Sequence, residues 1–400
     1  MNYTNCKTDY TKAIVGFIVL PFASALKAIF DYKGKTSILV ITLFTTLYGY
    51  SAIAQEGIDL YAYVMSLENF ENTTFDESID KYVYIVSLII SKFTSNGHIL
   101  MAAFGCIYGL LMSLSLKFFN SESTIVSKQE RYIKYVVVFI FVNIFSLSTL
   151  GGVRYATAFY LLFLGLSEYI LTSNKLFLLF VFLTPLIHFS YYIYIICAVL
   201  FLIFRQKPKA IFFLLILSFF FGQISISSTM SSLASLMGEG FSERSNSYLN
   251  VNTIDYNNSY LNNWTGTLLD YIYYFENAFL AYLLLRKKNF SDNEGKLNFS
   301  VACVGCFFIL TNVVINVPHL GLRSQIIARA LTMIPLYLYF KNWQSRTSAE
   351  KAAFILIVVP SILVSLNEII KVMGTTPISL AFYPLPFLNT FDSSVFSLFF

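Results

Sequence analysis

Apolar runs follow one another along almost the whole chain. They fall at 13–30, 36–54, 81–95, 98–119, 134–150, 155–171, 176–189, 190–204, 210–227, 264–285, 297–316, 325–340 and 352–370. A bilayer core takes about 20 such residues per helix. Charged residues make up only 12% of the chain, against about 25% in soluble domains. The pattern predicts an all-α fold, a polytopic transmembrane helical bundle of about 12 spans, with residues 1–400 as one integral membrane domain. No small-residue cleavage site follows the first run, so the first helix is expected to stay. Three stretches break the pattern: a polar, acidic segment at 55–80, a long polar segment at 228–263, and a Pro- and Phe-rich end at 371–400.

Lysine and arginine set the orientation. With the N-terminus outside and 81–95 not crossing, the turns at 31–35, 117–134, 172–175, 205–209, 286–296 and 341–351 face the cytoplasm. The inner side then holds 18 of the 27 Lys+Arg, and the outer side 15 of the 22 Asp+Glu. That split predicts both termini outside. Residues 55–97 become an outer loop with a short re-entrant or surface helix, 228–263 a large outer loop, and 371–400 an outer tail. This orientation places the unusual residues on the outward face of the membrane.

The outer face collects the residues that a membrane helix least tolerates. Ionisable groups inside apolar segments are costly and call for a functional explanation. Arg154 opens one run and His188 closes another, with the polar break Thr172-Ser173-Asn174-Lys175 between them. If that break is a turn, the two runs form a hairpin with Arg154 and His188 at one end. Arg244 falls in the 228–263 loop. Arg323 and Arg329 follow Pro318, and Arg329 lies about 9 Å deeper than Arg323 at helical rise. Either such an arginine snorkels or it lines a polar cavity. All four fall outside, against the general bias. They are expected to converge on one polyanion, although separate structural roles would also account for them. The 28 tyrosines suit interfacial belts, and they also suit stacking on sugar rings.

Other chemistry finds little footing. The three histidines, His98, His188 and His319, are scattered, and neither a metal constellation nor a Gly-rich phosphate loop appears. Cys303 and Cys306 have redox-like spacing but no second pair, and read as helix packing. A nucleophile elbow is missing, and no basic tract suggests nucleic acid.

The order of these residues resembles a known family. Gly57-x-Asp59 and Tyr63 come first, then Arg154-x-x-x-Ala158, then His188-x-Ser190. Arg244 with Tyr248 follows, then Arg323 and Arg329, then Tyr383-Pro384. This resembles the EpsG-like, Wzy-type polymerases of O-antigen, capsule and exopolysaccharide. Two details depart from the family. Gln55-Glu56 stands where an Arg is frequent, and Tyr155 follows Arg154 where Gln is frequent.

The resemblance implies transfer of an undecaprenyl-pyrophosphate-linked glycan onto the non-reducing end of a lipid-linked repeat unit, at the outer face. It implies no cofactor and no metal. The partners would be the lipid-linked oligosaccharide, the bilayer and a chain-length regulator. Arg154, Arg244, Arg323 and Arg329, with Tyr63 and Tyr248, would hold pyrophosphate and glycan. Arg154 would also act in catalysis, and Asp59, Glu56 or His188 would receive the acceptor proton. A lipid-linked oligosaccharide transporter, another polyprenyl-dependent glycosyltransferase and a membrane O-acyltransferase are the other readings.

The orientation has a direct test. Leu60→Cys, Ser245→Cys and Leu320→Cys should react with an impermeant thiol reagent added to intact cells. Lys207→Cys and Lys288→Cys should not, and labelling at position 207 would reverse the orientation.

Overall fold

The computed structural model describes residues 3–51, 59–68, 81–121, 127–146, 153–221, 264–286, 295–317 and 319–375. Among these, fifteen α-helices and three short 3-10 turns form, and no strand. The chain divides into two units. One comprises Met1–Val126, Phe145–Tyr191 and Leu366–Phe400, the other Ser127–Ile144 and Tyr192–Ser365.

The first unit contains α1 (Tyr3–Val19), α2 (Pro21–Phe30), α3 (Lys35–Ser51), α4 (Asp59–Glu68), α5 (Lys81–Ser91) and α6 (Gly97–Ser121). The second contains α7 (Lys128–Ile144). The chain then supplies α8 (Val153–Thr172) and α9 (Leu178–Ile187) to the first unit. The rest of the second unit is α10 (Tyr192–Phe204), α11 (Pro208–Phe221), α12 (Trp264–Arg286), α13 (Gly295–Val314), α14 (Leu320–Phe340) and α15 (Ser348–Thr375) as far as Ser365.

Among the described residues, four helical stretches are long and apolar enough to cross a membrane: Gly97–Asn120, Val153–Thr172, Gly295–Val314 and Ser348–Val372. The expectation of about twelve spans is not confirmed by this measure, and two causes are visible. Some helices are short. The 11 residues of α5 reach about 17 Å at helical rise, well below the ~30 Å of a hydrocarbon core. Others are long but carry charged groups. The 23 residues of α12 include Asp270 and Glu276, and the 21 of α14 include Arg323 and Arg329.

The first unit is built on close approach. A Cβ at Gly105 would meet the backbone carbonyl of Thr45, and one at Gly109 would meet the Thr45 side chain. The two glycines are four apart on one face of α6, so α3 comes to near backbone contact. Helices in membranes associate through such small-residue faces, because burying apolar surface gives no drive between them there. Helix α6 is tied to α8 and to the residue that follows α7 by hydrogen bonds. Ser115 Oγ reaches the Tyr160 carbonyl of α8 at 3.3 Å, and Tyr108 Oη donates to the Phe145 carbonyl, just past α7, at 2.6 Å. Lys117 pairs with Glu168 at 2.9 Å.

In the second unit, one end of α12 is clamped to α14 and α15 through Glu350. Its Oε1 accepts from Tyr282 at 2.7 Å and Tyr339 at 2.8 Å, and pairs with Arg286. Its Oε2 accepts from the Thr347 N–H at 2.9 Å, while the Glu350 N–H reaches Thr347 Oγ1 at 3.3 Å. This reciprocal pair is a capping box, which starts α15 at a fixed residue. The Arg346 guanidinium lies 3.8 Å from the Tyr339 ring centroid, which adds a cation–π contact.

The α3–α6 contact yields a prediction. Gly105→Val places two methyl groups against a helix backbone that has no rotamer to change. Overpacking of this kind costs about 1–3 kcal/mol or more. The variant should accumulate poorly and melt earlier in detergent, while Leu110→Val, on an exposed position of the same helix, should not.

Candidate functional site

The residues singled out in the sequence fall in both units. Arg154 and His188 stand in the first, Arg323 and Arg329 in the second. Each group is described within its own unit.

In the first unit, the polar break is a turn. Ser173 has φ 58°, and Asn174 Oδ1 accepts from the Leu176 N–H at 3.0 Å to open the next turn of helix. The chain reverses there, and α9 packs back along α8. The start of α8 and the end of α9 thereby meet. Arg154 is the second residue of α8. Its guanidinium lies over the Tyr63 ring of α4, 5.2 Å from the centroid. Its neighbour Tyr155 meets the rings of His188 at 5.6 Å and Tyr191 at 5.5 Å, and the Tyr155 carbonyl accepts from Tyr191 Oη at 2.8 Å.

His188 ends α9 in an extended conformation and is 3% exposed. The Ser190 N–H donates to its Nδ1 at 3.2 Å, and Ser190 Oγ lies 2.9 Å from the same nitrogen. A ring nitrogen that accepts from an N–H carries no proton, so a neutral His188 holds its proton on Nε2. Phe189 stacks on the ring at 5.4 Å. Asp59 is the first residue of α4, one turn before Tyr63, and its side chain is outside the described part. Glu56, Arg244, Tyr248 and Tyr383-Pro384 also lie outside the described residues.

In the second unit, His319 precedes α14 with φ 54°, and its carbonyl accepts from the Arg323 N–H at 3.0 Å. Burial, and then the positive charge of Arg323, hold the His319 imidazole below its ordinary value. Arg323 is half-buried. Arg329 is 4% exposed, so it is held in the interior and does not snorkel.

A buried polar seam runs through the same unit, and the sequence reading did not single it out. Asn312 Nδ2 donates to Ser218 Oγ at 2.8 Å, and Tyr273 bonds Asn312 Oδ1. Asn277 Nδ2 donates to the Tyr273 carbonyl at 3.0 Å. Tyr194 Oη and Ser324 Oγ lie 3.1 Å apart. Glu276 is 0% exposed, and Arg329 is the cation whose charge acts on it. The available signal was Asp270 and Glu276 inside a run otherwise apolar enough to span.

A family model described as the EpsG family matches residues 35–387. The chain belongs to the EpsG family. It is therefore a polysaccharide polymerase-like membrane protein. No curated protein and no solved structure matches it. In this EpsG-family chain, each of the two described sets of basic and aromatic side chains is a candidate site within its own unit.

The His188 geometry predicts a graded response. His188→Ala removes the acceptor for the part-buried Ser190 N–H and should cost about 1–3 kcal/mol. His188→Asn places a carbonyl oxygen near the position of Nδ1 and should recover most of that. Thermal midpoints of the three proteins in detergent should rank wild type, Asn, Ala.

Proposed function

We propose that this EpsG-family protein is a Wzy-type polymerase with glycosyltransferase activity. It moves a glycan from undecaprenyl pyrophosphate onto the non-reducing end of a second lipid-linked repeat unit, at the outer face of the inner membrane. The reading includes about twelve spans and both termini outside. The observation that carries it is Arg154, held over the Tyr63 ring at the opening of α8 in a chain of this family. A guanidinium on an aromatic face keeps its in-plane N–H groups directed away from the ring, toward oxyanions.

In the reaction, the anomeric carbon–oxygen bond to pyrophosphate breaks and a bond to the acceptor hydroxyl oxygen forms. The pyrophosphate leaves with the bonding electron pair, and its growing charge is met by guanidinium groups. The hydroxyl proton passes to a base, for which Asp59 and His188 are the candidates. Tyr63 presents a ring face suited to sugar C–H groups, and Arg244 and Tyr248 would add contacts from the 228–263 loop. A chain-length regulator is the expected protein partner. Neither a nucleotide nor a metal is needed, since the lipid pyrophosphate is already activated.

The test is conservative substitution. Arg154→Lys, Arg323→Lys and Arg329→Lys keep the charge but lose the two-pronged geometry. Each should reduce polymer about tenfold or more, in line with loss of one transition-state donor. Single repeat units should remain at the surface, because export and ligation are separate steps. An intact ladder of chain lengths in all three would remove the arginines from the chemistry. Loss of single units as well would assign the protein to export instead. Normal polymer with His188→Asn would take His188 out of the reaction.

A further inference from the structure

The apolar run at 13–30 is long enough for one membrane helix, but it is bent in the middle. Pro21 has no N–H to donate, and Leu20 before it leaves the helical region at φ −139°, ψ 78°. Helix α1 folds back beside α2 at that point. A Cβ at Gly16 would lie 3.5 Å from Ser24 Oγ, where eight residues of straight helix would span about 12 Å. Both helices pack on α3.

The bend shapes a cavity of about 260 Å³ within the first unit. Three separate stretches bring a lysine to it: Lys12 from α1, Lys27 from α2 and Lys33 from the turn before α3. Asp31 is the one carboxylate in the lining, so three lysines against one aspartate leave two positive charges in excess. The turn that presents Lys33 is fixed by its own bonds. Ser37 Oγ accepts from the Lys33 N–H at 2.7 Å, and the Lys27 carbonyl accepts from the Asp31 N–H at 2.8 Å. Gly34 supplies the φ of 59° that closes it.

Like charges gathered round one small cavity repel, and an anion set between them relieves that repulsion. Lysine meets phosphate as a point charge. The cavity is smaller than the ~300–1,000 Å³ of drug-sized ligand sites, so it takes a headgroup and not a glycan repeat unit. The same two helices expose Val15, Val19, Phe22 and Leu26, a surface suited to acyl chains. A basic cavity on helices that also expose apolar side chains selects an amphiphile with an anionic head.

We propose that the α1–α2 bend holds the phosphate headgroup of an anionic phospholipid among Lys12, Lys27 and Lys33. The site is independent of the polymerase reading and uses none of its residues.

Native mass spectrometry of the full-length protein in a neutral detergent tests it, with phosphatidylglycerol as the probe. One phosphatidylglycerol should bind at least tenfold more tightly than phosphatidylcholine, whose headgroup has no net charge. The triple variant Lys12→Gln, Lys27→Gln, Lys33→Gln should lose that preference. Lys175→Gln, at an exposed lysine in another turn of the same unit, should keep it. The three cavity lysines are exposed, so their removal should leave the protein level unchanged. Should the triple variant fail to accumulate, each single change should weaken binding at least twofold, and the singles decide. An unchanged preference in these variants overturns the site. Equal loss in Lys175→Gln overturns its location, since general surface charge would then account for the binding. Equal binding of the two lipids overturns the anionic headgroup. Displacement of phosphatidylglycerol by millimolar inorganic phosphate assigns the cavity to a free anion and overturns the lipid.

Discussion

Inside a helix group that faces lipid, a polar atom has no water to fall back on, and every buried donor and acceptor must find a partner in the chain. The second unit is arranged around that shortage. Asn312 links Ser218 and Tyr273, which joins α11, α12 and α13 at one level. Tyr194 with Ser324 joins α10 to α14. Side chains that would be liabilities one at a time become cross-links when they meet. The first unit solves the same problem differently, with glycines that bring backbones together and tyrosine hydroxyls that reach exposed carbonyls such as that of Phe145.

The two arginine settings differ in what they do to a guanidinium. Arg154 rests on a ring face, and a π cloud attracts the cation without occupying its in-plane donors. Arg329 lies enclosed, 4% exposed on α14. The Glu350 cluster holds the Arg286 end of α12, so that helix is anchored at its C-terminus.

Helical class was legible because apolar runs separated by short basic turns have few other solutions. The hairpin of α8 and α9 was legible too, since Ser173-Asn174 carries turn chemistry. The number of crossing helices was not. Residues 176–204 show why: Pro185 and His188 cut that apolar stretch into α9 and α10, each shorter than a bilayer core. Helices α12 and α14 erred the other way, because their polar residues face the interior, and no one-dimensional pattern shows which neighbour receives them. Arg154 and Tyr63 both stood out, but their direct contact, across 91 positions of chain, did not. Glu276 and Asn312 escaped notice for the same reason, since their meaning depends on helices brought together by the fold. The Gly105-x-x-x-Gly109 spacing was present in the sequence as a recognised packing signature, and it needed α3 beside it to acquire a role.

The glycine contact between α3 and α6 also sets a schedule. Helix α3 leaves the ribosome well before α6, with α4 and α5 made in between. At about 5–20 residues per second, the face around Thr45 and Gly49 waits a few seconds in the membrane for its mate. During that wait its polar atoms lie against lipid or against whatever insertion machinery shields them. The pair closes only after four helices have been threaded, so the order of synthesis and the order of assembly differ in this half of the molecule. Insertions that lengthen the 52–58 or 69–80 segments would prolong the interval.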